Sequence, residues 1–126
     1  MAKKILTIDD DPEFTDAIVN LLDAKGYQVE TASDGKKGLD KAKQFSPDLI
    51  LLDVMMATKN EGFELLEQFK QNDDLKNIPV IMVTGIRNEL NLPFSLEPDE
   101  DELPVKAVLE KPVKPDVLLR TIEKNI

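Results

Sequence analysis

The feature that most constrains the fold is an alternation between short apolar runs and segments whose apolar residues recur at helical spacing. Residues 5–8 form a β-rich run, and from Pro12 the apolar positions change to helical intervals. The same change recurs along the chain. Further strands are expected at 28–32, 49–53, 80–84 and 105–110, and further helices at 35–44, 63–70 and from residue 115.

Alternation of this kind favours right-handed βαβ crossovers and a parallel sheet that is covered on both faces. We therefore predict an α/β fold, a doubly wound five-stranded parallel sheet in the flavodoxin-like order 2-1-3-4-5. Residues 86–104 break the rhythm, because they contain three prolines and an acidic group where a fourth helix is due. We expect an atypical fourth-helix region there, formed mainly by a long loop.

The composition limits both the number of domains and the kinds of chemistry. The 126 residues suit a single domain, 1–126, with no room for an output domain. A formal charge of −9 disfavours direct binding to nucleic acid or to a membrane, and no apolar run is long enough to span one, so we expect a cytoplasmic protein. With neither cysteine nor histidine, any chemistry must come from carboxylates, hydroxyls and lysines.

Polar residues stand at four of the predicted strand ends. Because the carboxyl ends of parallel strands meet at one edge of a sheet, these residues should converge. Three of them are carboxylates that would repel one another unless a cation lay between them, and all-oxygen ligation favours Mg²⁺. The residues are Asp9 and Asp10, Asp53, Thr84 and Lys111.

Four sequence blocks resemble the receiver domains of two-component response regulators, the CheY-like superfamily. Each block is a weak signal alone, but all four occur in order at the predicted strand ends, and the similarity covers nearly the whole chain. The blocks are KILTIDDD at 4–11, PDLILLD at 47–53, PVIMVT at 79–84 and EKP at 110–112.

The resemblance implies a role for each convergent residue. Asp53 would accept a phosphoryl group from a sensor histidine kinase or a histidine phosphotransfer protein, and the chain would then act on an output partner that the sequence does not identify. Thr84 would be the switch hydroxyl and Lys111 the phosphate-binding lysine. The implied magnesium site comprises the acidic pair Asp9 and Asp10, Asp53 and the backbone carbonyl of Met55.

Several positions depart from the family pattern. The loop between Asp53 and Gly62 is about one residue longer than usual, and the interval from Thr84 to Lys111 is also extended. Val108 stands where the family commonly has a switch aromatic. The output surface therefore cannot be carried over from relatives, and we expect a monomer or a weak dimer.

Two other functions remain open at this point. A pseudo-receiver would bind partners without being phosphorylated, although the complete set of convergent residues argues against it. A phosphatase of the acyl-phosphate type would share the aspartate nucleophile and Mg²⁺, but such enzymes usually carry a second acid two residues after the nucleophile, where this chain has Met55. The favoured prediction is a signalling domain that catalyses its own phosphorylation and dephosphorylation, and not an enzyme that acts on other substrates.

Overall fold

The computed structural model describes residues 3–53, 61–84, 106–110 and 113–126, with only the backbone described at 61–63, 84 and 110. Strands and helices alternate along these ranges, as the apolar spacing predicts. The strands are β1 (Lys4–Ile8), β2 (Gln28–Ala32), β3 (Leu49–Asp53), β4 (Val80–Thr84) and β5 (Ala107–Glu110). The helices are α1 (Pro12–Ala24), α2 (Gly35–Phe45), α3 (Glu61–Gln71) and α4 (Pro115–Asn125).

The five strands form one parallel sheet in the order β2-β1-β3-β4-β5. This confirms the predicted doubly wound architecture and its strand order. β3 lies near the centre of the sheet, and all five of its residues are buried. A strand covered by helices on both faces needs apolar side chains on both sides, which is why β3 reads as a continuous apolar run.

Local capping sets the limits of the first two helices. The Asp11 side chain accepts hydrogen bonds from the backbone N–H groups of Glu13 and Phe14 at 3.1 and 3.3 Å, and Pro12 occupies the first helical turn. Asp34 caps α2 in the same way, accepting from the Lys37 N–H at 2.8 Å. α2 ends at Phe45 and is capped by Ser46, whose φ of 52° places it in the left-handed region.

The core has two parts, one on each face of the sheet. Side chains of α2 and α3 pack on one face, and those of α1 and α4 pack on the other. The first cluster includes Leu6, Ile8, Ala42, Ile50, Leu52, Leu66, Phe69 and Met82. The second includes Ile5, Ile18, Leu22, Leu49, Leu51, Ile81, Leu118 and Ile122.

The element boundaries differ from the predicted ones by one or two residues. α2 extends to Phe45, α3 begins at Glu61 and ends at Gln71, and β5 begins at Ala107. Element ends fray and their apolar periodicity is weak, so spacing alone fixes them poorly. The predicted loop at 86–104 lies outside the described residues. Within the described ranges, no helix has the length and apolar character needed to cross a membrane.

Candidate functional site at the carboxyl edge of the sheet

The register between β1 and β3 brings two aspartates together. Ile8 is aligned with Leu52, so the residues that follow, Asp9 and Asp53, emerge side by side at the carboxyl ends of adjacent strands. Both side chains are buried, each with 4% of its surface exposed, whereas Asp10 is exposed. The sheet thus joins two carboxylates that are 44 positions apart in the sequence.

Asp9, Asp10 and Asp53 each offer a carboxylate oxygen within 4.8 Å of the others. This confirms that the three acidic residues converge, as their positions at the strand ends predict. Carboxylates this close repel one another when all are ionised, and the repulsion is strong where burial reduces the screening by water. A small cation held among three oxygens would relieve that repulsion.

Main-chain groups from two other segments hold Asp9 in place. Its backbone N–H donates a 3.0 Å hydrogen bond to the carbonyl of Ala32, at the end of β2. Its Oδ1 atom accepts a 2.8 Å hydrogen bond from the backbone N–H of Asp11. Because Asp11 also caps α1, the start of that helix is tied to the acidic cluster.

This role of the Asp11 backbone is not among the predictions from the sequence, because the position just before Pro12 indicates only a helix cap. The available signal was the aspartate two residues earlier, because an Asp side chain commonly accepts from the N–H two positions on. The Ala32 carbonyl had no such signal. It becomes a partner only through the pairing of β1 with β2.

Of the other predicted site residues, the structure describes only the backbone of Thr84. Thr84 ends β4, and its backbone lies at the same edge of the sheet, because Val83 is aligned with Asp53 and Thr84 with Glu110. The Thr84 side chain is not described. Met55 and Lys111 lie outside the described residues.

Val108, in the position where the family pattern has an aromatic residue, is half-buried in β5 and packs against the core cluster formed with α2 and α3. An aliphatic side chain at this point has no ring to rotate between an inward and an outward position.

Comparison with known proteins identifies the family. The model for the response regulator receiver domain matches residues 5–123, nearly the full length of the chain. The chain belongs to the response regulator receiver domain family. Receiver domains are signalling domains of two-component systems, and the match confirms the resemblance seen in the four sequence blocks.

Two curated relatives illustrate the similarity. The receiver domain is 38% identical over 106 residues to the alkaline phosphatase synthesis transcriptional regulatory protein PhoP of Bacillus subtilis, covering 84% of this chain and 43% of PhoP. It is 41% identical over 83 residues to the DNA-binding dual master transcriptional regulator RpaA of Synechocystis, covering 66% of this chain and 34% of RpaA. The chain thus spans less than half the length of either relative.

Solved structures share the whole architecture. The chemotaxis response regulator CheY4 of Vibrio cholerae superimposes with a TM-score of 0.81 at 28% identity, with all of both chains covered. A CheY-like receiver domain protein from Methanospirillum hungatei gives a TM-score of 0.79 at 30% identity, covering 98% of this chain and 93% of that one.

Proposed function

We propose that this receiver domain accepts a phosphoryl group on Asp53 in a Mg²⁺-dependent reaction and thereby changes its affinity for a partner protein. The donor would be a phosphohistidine on a sensor histidine kinase or on a phosphotransfer protein. The observation that carries the proposal is the convergence of Asp9, Asp10 and Asp53 at one edge of a receiver fold. We further propose that residues 1–126 act as one receiver unit in the cytoplasm.

The transfer needs only groups that the proposal names. A carboxylate oxygen of Asp53 attacks phosphorus, the O–P bond forms, and the P–N bond to the donor histidine breaks, so that the leaving imidazole keeps the bonding electron pair. The product is an aspartyl phosphate, a mixed anhydride that water can later hydrolyse. Burial of Asp53 favours the reaction, because fewer water molecules surround the nucleophile.

The donor set fits Mg²⁺, which prefers oxygen ligands and binds through a few carboxylates together with phosphate oxygens. Asp9, Asp10, Asp53 and the Met55 carbonyl are the residues that would hold it. When bound, the ion would neutralise the charge that develops on the transferring phosphoryl group. Asp9 is already oriented for such a role by its bonds to Ala32 and Asp11.

Thr84 and Lys111 complete the proposed site. The Thr84 hydroxyl would donate a hydrogen bond to one phosphoryl oxygen, and the Lys111 ammonium would neutralise another. Movement of Thr84 toward the new charge would couple phosphorylation to the shape of the neighbouring surface. A partner that binds the two shapes with different affinities would then receive the signal.

The test is intact-mass spectrometry after incubation with a small acyl-phosphate donor and Mg²⁺. We expect the parent chain to gain one phosphoryl group. The Asp53→Asn variant and the parent with a chelator should gain none. No gain under any condition would contradict the proposal and favour a pseudo-receiver, and multiple turnover of small phosphate esters would favour a phosphatase.

Matched variants of two neighbouring aspartates test the metal site. Their affinity for Mg²⁺ is measured by calorimetric titration. Asp10→Asn removes a member of the cluster, and we expect at least about tenfold weaker binding, equivalent to ~1.4 kcal/mol. Asp11→Asn makes the same change of charge one residue on, and asparagine still caps a helix, so binding should change little. Equal losses in both variants would indicate a general charge effect rather than a site.

A further inference from the structure

Helix α2 has the opposite charge to the rest of the protein. Its eleven residues contain four lysines and one aspartate, a formal charge of +3, in a chain whose net charge is −9. All other residues together therefore carry −12. The lysines are Lys36, Lys37, Lys41 and Lys43, of which Lys41 is half-buried and the others are exposed.

α2 lies beside an edge of the sheet. β2 is the outermost strand on that side, and none of the strands in the described ranges pairs with its outer edge. Gln28 donates its N–H to Lys3, and the carbonyl of Ala32 accepts from Asp9, so the even-numbered residues of β2 are bonded toward β1. The alternation of a parallel ladder then directs the main-chain groups of Val29 and Thr31 outward.

A groove of about 320 Å³ lies between the end of β2 and helix α2. Its walls are formed by the end of β2, from Thr31 to Ser33, and by one side of α2, with Lys37, Asp40, Lys41 and Gln44. The two lysines already contact acidic neighbours, Lys37 with Asp34 at 3.9 Å and Lys41 with Glu30 at 3.5 Å. Ion pairs this exposed contribute little to stability, so they do not fix the two lysine side chains, which can also contact a partner's carboxylates.

We propose that this face binds an acidic, extended segment of a partner protein, which adds as a strand to the outer edge of β2. An exposed strand edge offers alternating N–H and C=O groups, and a polypeptide backbone is the partner that matches them. Nucleic acid and lipid headgroups lack the alternating N–H and C=O groups of an extended backbone, so they do not match the edge of β2. The inference goes beyond the proposed phosphoryl chemistry and does not depend on it.

The spacing of the lysines agrees with this mode of binding. Lys37 and Lys41 lie one turn apart on α2, a rise of ~6 Å along the helix axis. Alternate residues on one face of a strand are separated by ~6.6 Å. Acidic side chains at every second position of the added strand would therefore meet successive lysines.

The test uses the full chain and a fluorescent eight-residue peptide of alternating glutamate and threonine, with affinity measured by anisotropy and the contacted amides located by NMR. We expect binding that weakens with added salt and shifts the amide signals of Val29 and Thr31. A peptide N-methylated at alternate residues, with the same charge, should not bind, because it cannot form the strand ladder.

Two charge-reversal variants separate the groove from general electrostatics. Lys37→Glu with Lys41→Glu should weaken binding by about tenfold or more, since two attractions become repulsions. Lys36→Glu with Lys43→Glu changes the net charge equally on the same helix, at positions outside the groove lining, and should weaken binding much less. Lys37 and Lys41 lie outside both core clusters, and glutamate at position 37 suits the first turn of a helix, so the first variant should fold.

Several results would overturn the proposal. They are the absence of peptide binding, equal losses in the two charge-reversal variants, and unchanged affinity of the N-methylated peptide. Concentration-dependent dimerisation that requires Lys37 and Lys41, without peptide binding, would assign this face to a second copy of the chain instead and would also overturn it.

Discussion

Two buried residues near the end of β1, Thr7 and Asp9, are polar. Asp9 is polar but held by main-chain groups, whereas Thr7, two residues earlier on the same face of the strand, is 1% exposed and its hydroxyl has no hydrogen-bond partner among the described residues. Burying a hydroxyl without a partner costs about 1–3 kcal/mol. Thr7 is therefore a local weakness one layer beneath the acidic cluster.

Replacement of Thr7 by valine should stabilise the protein. Valine keeps the branched shape and removes the unsatisfied hydroxyl, so we expect the free energy of unfolding in urea to rise by about 1 kcal/mol. Thr121→Val is the matched control, because the Thr121 hydroxyl donates a 2.7 Å hydrogen bond to the Val117 carbonyl and its removal should bring no gain. A less stable Thr7→Val variant would show that the hydroxyl has a bonding partner, such as an ordered water.

Among the elements, α2 and β1 approach each other closely at Gly38. A Cβ atom at Gly38 would lie 2.7 Å from Cδ1 of Ile8, whose side chain is fully buried and has little space to move. Ile8 is also the last residue of β1 before Asp9. A shift of this side chain would be transmitted to the start of the acidic site.

The Gly38→Ala variant should be less stable, by about 1–3 kcal/mol, even though alanine normally favours a helix by ~1 kcal/mol over glycine. The reason is the collision with Ile8. Shortening that residue removes the nearest atom, so Ile8→Val should be less harmful when combined with Gly38→Ala than when made alone. The measurement is a double-mutant cycle in urea, and additive effects of the two changes would refute the steric explanation.

At the scale of the whole molecule, Tyr27 connects segments distant in the sequence. It lies between α1 and β2 and packs against the core cluster shared with α4. Burial, and secondarily the carboxylate of Glu123 on α4, raise the pKa of the Tyr27 hydroxyl above its usual value of 10.0. Both effects disfavour the phenolate, whose negative charge would lose hydration and be repelled.

Stability should therefore fall at high pH. Because the pKa of Tyr27 is higher in the folded state, the unfolded chain releases this proton first as the pH rises. The contribution of Tyr27 to folding stability is fully present below pH ~10 and is lost as the pH rises through the folded-state pKa. Tyr27→Phe should lose less stability over that interval. Glu123→Gln should lower the pKa only in part, because burial is the larger cause.

Tyr27 is the only tyrosine and the chain has no tryptophan, so ultraviolet absorbance of the phenolate reports its titration directly. Urea unfolding of the parent and of Tyr27→Phe across the same pH range supplies the stabilities. Identical alkaline losses in the two proteins would exclude Tyr27 as a source of the pH dependence.

The order and type of the elements can be predicted from the sequence, because helical periodicity, strand patterning and helix capping act among residues that are close in the chain. Asp11 and Pro12 mark the start of α1, and the apolar run before Asp53 marks a buried strand. Combined with the rule that parallel strands end at one edge, these signals were sufficient to predict the fold and the convergence of Asp9, Asp10 and Asp53.

Other contacts between distant groups could not be predicted without the tertiary structure. The bond from Asp9 to Ala32, the approach of Gly38 to Ile8 and the groove between β2 and α2 all depend on register and on the packing of segments that no local signal relates. From the sequence, the lysines of α2 indicate only a solvated helix face. The structure shows that this face lies beside an open strand edge. Local interactions choose the elements, whereas packing between elements fixes the distances on which a site depends.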